Sequence, residues 1–384
     1  MPIFLFIFFL LMVAYAILIN FYHRAWNQLP VFKLPETKPS TFISVIVAAR
    51  NEESNIPTLL DSLNRQRYPS SLYEVIIVND HSTDNTWSIL QQASYPELPL
   101  KPINLAAHLD SEAVTQSFKK KAIETGIREA KGSLIVTTDA DCFFGEHWLE
   151  SIAAFYEATQ AKFIAAPVKI VSRRSLLGIF QSLDFITLQG ITGASVFKRF
   201  HSMCNGANLA YEKKAFEEVN GFAGIDSIPS GDDMLLMHKI FKQYPDRVFY
   251  LKAREAIVST APAASWKAFF HQRIRWASKA DRYDDKRIFR TLLLVYLVNV
   301  CFVVSAVAAF WQNIWLFFCL ILLLAKILIE FPFVHAAAIF FDQQSLMKYF
   351  PFLQPIHIVY TIIAGWLGKF GKYEWKGRTI SKQS

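Results

Sequence analysis

Residues 134–141 read Leu-Ile-Val-Thr-Thr-Asp-Ala-Asp. Five apolar or β-branched residues followed by two aspartates one residue apart describe a strand buried on both faces that breaks into polar chemistry at its carboxyl end. In an open α/β sheet that edge is where ligands bind. Hard carboxylate oxygens there suit Mg²⁺ or Mn²⁺ held together with substrate phosphates. An isolated Asp-x-Asp also describes a solvated turn, so the reading depends on its surroundings. Ser44-Val-Ile-Val47 runs into Ala-Ala-Arg-Asn-Glu-Glu53, and Glu74-Val-Ile-Ile-Val78 runs into Asn79-Asp80-His-Ser-Thr-Asp-Asn85. Strand-like runs at 42–47, 73–78, 134–138 and 163–166 alternate with helical stretches near 56–66, 85–93 and 119–130. That alternation predicts an α/β domain with a mostly parallel sheet covered by helices, and it places Glu52, Asp80 and Asp139 at the strand ends.

Further along stand Lys119-Lys-Lys-Ala122, Asn205-Gly-Ala-Asn208, Gly231-Asp-Asp233 and Gln272-Arg-Ile-Arg-Trp276. In this order, over residues 42–285, the constellations resemble the inverting glycosyltransferases of family 2. That membrane-associated group includes cellulose, chitin and hyaluronan synthases and the ceramide glucosyltransferases. The resemblance implies a GT-A fold, a nucleotide-sugar-binding, Rossmann-like mixed sheet, flanked here by N- and C-terminal transmembrane helices. It also implies a nucleotide-sugar donor, a UDP-sugar by expectation, and Mg²⁺ or Mn²⁺ to take charge developing on the leaving diphosphate.

Roles follow residue by residue. By resemblance Asp141 is the metal ligand, Asp139 sits beside ribose and metal, Asp80 holds the nucleotide base, and Glu52 neighbours ribose or base. A strand-end carboxylate capping the next helix is the bland alternative for the last two. Lys119 opens a helix, so a phosphate there meets both an ammonium and the positive helix end. Inversion needs a base for the acceptor hydroxyl, and Asp233 occupies the matching position. Asp232, where the family more often has Glu, is expected to orient or support; which of the two carboxylates is the base stays open at this point. Asn205, Gly206 and Asn208 are expected to shape the acceptor site, with a simple turn as the alternative. In the Gln272-x-x-Arg275-Trp276 motif, Arg275 is expected to bind diphosphate and Trp276 to stack on an acceptor sugar, with Gln272 beside them. Trp266, Phe269 and Phe270 would anchor this helix at a membrane surface.

Composition agrees with an enzyme in a membrane. The chain has 384 residues and is 53% hydrophobic, with the apolar residues gathered at its two ends. Ile3 to Ile19 is an apolar run of 17 residues with no basic residue before it and no small-x-small cleavage site after it, which favours an uncleaved anchor over a signal peptide. The expected organisation is a transmembrane anchor at 1–22, a linker at 23–41, the GT-A domain at 42–285, a transmembrane or interfacial region at 286–370 and a basic cytoplasmic tail at 371–384. Thr291–Trp311 and Ile314–Val334 read as spans. Lys326 and Glu330, four apart on the second, are expected to pair. Phe350–Leu367, with two prolines, a glutamine and a histidine, reads as interfacial or re-entrant rather than crossing. Arg24, Lys33 and Lys38 after the first run place the amino terminus outside and the catalytic domain in the cytoplasm of a multi-pass protein of the cell (inner or plasma) membrane.

The net charge of +8 suits anionic lipid and phosphorylated substrates. It is not gathered into a basic patch interleaved with aromatics, so nucleic acid is not an expected partner. The expected partners are the sugar donor, the bilayer and a lipid or saccharide acceptor. The cysteines lack pairing or metal spacing. A nucleotidyltransferase would need a glycine-rich loop after the first strand, and Ala48–Glu53 has none. A non-catalytic scaffold leaves Asp233 and Arg275 unexplained. Few apolar segments favour one or few additions onto a membrane lipid, with a processive polysaccharide synthase as the alternative.

Overall fold

The computed structural model describes residues 2–107, 117–171, 175–201, 203–226, 228, 231–278, 285–370, 373–375 and 378–380. In chain order these form α1 (Pro2–Gln28), β1 (Ile43–Ala49), α2 (Ile56–Asn64), β2 (Tyr73–Asn79), α3 (Thr86–Gln92), β3 (Leu100–Asn104), α4 (Phe118–Glu129), β4 (Leu134–Asp139), β5 (Cys142–Phe144) and α5 (Trp148–Thr159). There follow β6 (Phe163–Ala165), β7 (Val168–Ile170), α6 (Leu176–Phe197), β8 (Leu209–Glu212), α7 (Lys213–Glu218), α8 (Asp232–Gln243), β9 (Val248–Tyr250), β10 (Val258–Thr260), α9 (Trp266–Ala277), α10 (Lys286–Ala308), α11 (Ile314–Phe340) and α12 (Phe350–Phe370). The antiparallel strands β11 (Tyr373–Trp375) and β12 (Arg378–Ile380) are the last described elements. Two compact units emerge, one of residues 30–169 and 202–261, the other of 1–29, 170–201 and 262–384.

The first unit is built on a seven-stranded sheet in the order β3-β2-β1-β4-β8-β6-β9. Strands β3, β2, β1 and β4 are parallel, and β8 runs antiparallel to both β4 and β6. The expected mostly parallel, mixed sheet is therefore present. Strands β1 and β2 are apolar and buried along nearly their whole length, as a sheet covered on both faces requires. After β1 the chain winds outward through β2 and β3, then returns to lay β4 on the other side of β1. Ala48 of β1 is level with Asp139 of β4, so the carboxylate stands at the topological switch point. Helix α4 covers this place closely: a Cβ on Gly126 would come within 2.6 Å of Ile46 Cγ2. Gly126→Val should therefore overpack the helix–sheet contact and cost about 1–3 kcal/mol. A melting temperature equal to the parent's would contradict that close approach.

The second unit contains helices α1, α6 and α9–α12. Among the described residues, four of its helices, α1, α10, α11 and a stretch ending in α12, are long and apolar enough to cross a membrane. Helix α1 continues to Gln28, beyond the expected end of the anchor at residue 22. Lys326 and Glu330 do pair, Nζ to Oε1 at 2.5 Å, fully inside the helices. Gln354 of α12 bonds both of them, at 2.6 and 2.7 Å, and the Tyr15 hydroxyl of α1 donates to Glu330. Every charged atom in this cluster thereby gains a partner, which is the condition for keeping it inside an apolar bundle. The stretch Phe350–Leu367, expected to be interfacial or re-entrant, lies within one continuous helix that carries Pro355 in its interior. The expected tail residues Lys372, Lys376 and Lys382 lie outside the described side chains.

Candidate active site

Three motifs distant in sequence meet at the β1–β4 switch point. Lys119, in the first turn of α4, places Nζ 2.7 Å from Asp139 Oδ1 and 3.2 Å from Asp232 Oδ2. Burial works against its charge, but the carboxylates of Asp139 and Asp232 outweigh that and hold the ammonium above the usual lysine range. The residue expected to greet a phosphate thus stands between two carboxylates, where a donor's diphosphate would compete for it.

Asp232 and Asp233 occupy the first turn of α8, entered through Gly231 at φ +83°. That left-handed conformation favours glycine and aims both carboxylates into the crevice. Asp233 Oδ1 accepts from its neighbour Met234 N at 2.7 Å, and Oδ2 accepts from Gly206 N at 3.1 Å. The Gly231-Asp-Asp233 turn is thereby tied to the Asn205–Asn208 turn. Asn205 Oδ1 accepts from Ala207 N and shapes that turn. Asn208 is placed differently from an acceptor-contacting residue. It is fully buried, donates to Pro167 O and Ala256 O at 2.8 Å each, and accepts from Trp148 Nε1 at 3.0 Å. Its carboxamide is spent on the floor beneath the turn.

Asp141 lies exposed just past β4, its Oδ2 3.5 Å from Thr260 Oγ1 on β10. Asp139 and Asp141 supply hard oxygens, and no three His, Cys, Asp or Glu side chains among the described residues form a metal cage. Two carboxylates without a cage fit a small divalent ion that arrives with substrate phosphates, the usual Mg²⁺ arrangement.

At the end of β2, Asp80 is buried. Its Oδ1 lies 3.0 Å from His81 Nδ1 and 3.9 Å from Arg50 Nη1. Arg50 Nη1 also donates to the carbonyls of Asp80 and His81 at 3.0 and 3.1 Å. His81, at φ +50°, sets its ring against Phe118. Sequence reading passed over Arg50 and His81; their position inside two strand-end loops was the available signal. Glu52 is buried, and its Oε2 accepts from Asn55 Nδ2 at 2.7 Å just before α2.

Gln272, Arg275 and Trp276 belong to the second unit, on α9, and are half-buried there. Ser265 caps that helix by accepting from Ala268 N at 3.2 Å. Phe269, expected at a membrane surface, is instead wholly buried against Phe180 and Tyr360. Local spacing identified an apolar helix face and could not say what covers it.

Comparison with known proteins agrees with this geometry. The chain matches the family model described as glycosyl transferase family 2 over residues 44–219 and that of glycosyl transferase family group 2 over residues 134–366. It is 24% identical over 265 residues to glycosyltransferase AglE of Haloferax volcanii, covering 67% of this chain and 81% of that protein. With the β-monoglucosyldiacylglycerol synthase of Nostoc sp. it shares 25% identity over 64% of this chain and 50% of the relative. With the poly-β-1,6-N-acetyl-D-glucosamine synthase of Staphylococcus epidermidis it shares 22% over 92% and 82%. The fold matches a mannosyltransferase, PcManGT of Pyrobaculum calidifontis, solved with GDP-Man and Mn²⁺. That match has a TM-score of 0.57 at 19% identity and covers 95% of this chain and 97% of that one. With a family model spanning more than half of its length and the mixed sheet of a GT-A enzyme, the chain belongs to glycosyl transferase family 2.

Proposed function

We propose that the protein transfers a sugar, with inversion, from a nucleoside diphosphate sugar, a UDP-sugar in our reading, onto a lipid acceptor at the membrane surface. One observation carries it: Lys119, Asp139 and Asp232 converge within 3.2 Å at the switch point, with Asp233 alongside. Such a crevice has cationic and acidic groups for a diphosphate and a second carboxylate for an acceptor hydroxyl. Asp80, with Glu52 nearby, holds the base and ribose. Asp139 and Asp141 would hold Mg²⁺ or Mn²⁺, which, when bound, neutralises charge on the leaving diphosphate. Lys119 exchanges its carboxylate partners for phosphate oxygens. Asp233 takes the acceptor proton, Asp232 positions Lys119, and Asn205 and Gly206 shape the acceptor turn with Asn208 beneath. Gln272, Arg275 and Trp276 serve the diphosphate and the acceptor.

Three helices, α1, α10 and α11, cross the bilayer in this reading, with the stretch 350–367 interfacial or re-entrant. Phe350 packs its ring 6.1 Å from Phe331, nine residues before the end of α11. Gly365 abuts Tyr296, ten residues after the start of α10. Phe352, Val359, Ile363 and Trp366 then turn one exposed apolar face toward lipid. The catalytic unit and Lys369 share the cytoplasmic side of the cell membrane.

Two relatives bear names that point to different acceptors, a diacylglycerol glycolipid and a polysaccharide. Incubating the protein in vesicles with labelled UDP- and GDP-sugars, then separating lipid-soluble from polymeric product, decides between them. Label in a single lipid-soluble species is the expected outcome. A ladder of polymer would replace the lipid reading with a processive synthase, and no release of nucleotide from any donor would end the transferase reading.

A further inference from the structure

Arg273, between the named positions of the Gln272–Trp276 motif, is tightly enclosed: it is 4% exposed. Its guanidinium lies 4.2 Å from the ring centre of Trp276 and 4.9 Å from that of Phe269. Nη2 stands 2.5 Å from Asp184 Oδ2 of α6, and Asp184 Oδ1 accepts from the Tyr360 hydroxyl of α12 at 2.5 Å. Nε and Nη1, like Nη2 and Asp184 Oδ2, make no hydrogen bond among the described residues, so two aromatic faces and one close ionic contact hold the group. Burying a charge this way is costly, and an ion pair in an apolar setting is weak evidence for a purely stabilising role.

The geometry points to Arg273 as a positioning residue: pinned by Asp184, which Tyr360 holds, it fixes the orientation of the Trp276 ring that receives the acceptor. This rests on the transferase reading, because the role of Trp276 does. The physical case is the planar guanidinium. Its broad face lies over an indole while an edge nitrogen meets a carboxylate, an arrangement that a compact lysine ammonium does not reproduce. Three helices remote in sequence thereby determine the tilt of one ring. Neither Asp184 nor Tyr360 needs to touch substrate.

The test uses the full-length protein in vesicles. Arg273→Lys keeps the buried charge pair and removes the flat face. The double variant Asp184→Asn with Arg273→Gln removes both charges together and leaves no uncompensated buried ion, which makes it the second route to the same comparison. Acceptor KM is expected to rise about tenfold in each, the loss of one desolvated cation–π contact, while donor KM and slow donor hydrolysis by water stay near the parent's. Trp276 emission, obtained by subtracting the spectrum of each protein's Trp276→Phe counterpart, is expected to shift in both variants. Unchanged acceptor KM, an unchanged Trp276 emission, or hydrolysis falling in step with transfer would overturn the proposal. A parent that releases nucleotide from no sugar donor would defeat the transferase reading instead. The emission comparison needs no substrate and would still decide whether Arg273 sets the ring.

Discussion

Asp233→Asn is expected to lower kcat by about 10² to 10⁴, the usual loss when a positioned proton acceptor is removed, while donor affinity survives. Asparagine is nearly isosteric with aspartate and retains a carbonyl oxygen. That one oxygen can still accept from Gly206 N, the bond that joins α8 to the Asn205–Asn208 turn, at the expense of the local bond from Met234 N. What it cannot do is take a proton. Asp232→Asn provides the contrast, because Asp232 faces Lys119 at 3.2 Å and its loss should be felt by the donor. Steady-state rates and nucleotide-sugar binding on both variants check the assignment. Equal losses of rate and donor affinity in Asp233→Asn would make Asp233 a donor-site or structural residue.

The second large effect is expected from Asp141→Asn. Asp141 is exposed, so the substitution should leave stability within about 0.5 kcal/mol of the parent. Turnover, however, loses a hard anionic ligand for an ion that supplies several kcal/mol of charge stabilisation, a fall of about 10³ or more. Chelation of the parent with EDTA should abolish activity in the same way, and Mg²⁺ or Mn²⁺ should restore it. Activity untouched by EDTA, or retained in folded Asp141→Asn, would remove the metal from the reaction and leave Lys119 as the cation nearest Asp139.

Much of the sheet was legible because parallel strands covered on both faces must be apolar throughout, and polar residues then mark their ends. Strands β1, β2, β4 and β6 begin and end within two residues of the expected runs. Strand β3 carries Lys101 and Pro102, a composition that fits an edge and hides the strand from a pattern search. Helix α6 was missed for a related reason. Its Gln, Ser, Thr and Gly residues are scattered around the helix and nearly all are buried, so no polar face contrasts with an apolar one.

The amino-acid sequence by itself determined what neighbouring residues decide: the run of β4 into Asp139 and Asp141 and the pairing of Lys326 with Glu330 across one turn of helix. Strand and helix periods place such groups relative to one another within a few ångströms, whatever the rest of the chain does. Only the tertiary structure decided that Lys119 stands between Asp139 and Asp232, that Asn208 is spent beneath the Asn205–Asn208 turn, and that Asp184 and Tyr360 reach Arg273. Each of these joins elements that local periodicity leaves independent. Their meeting depends on strand order and on which helix faces are buried together, and those are settled by packing the whole core.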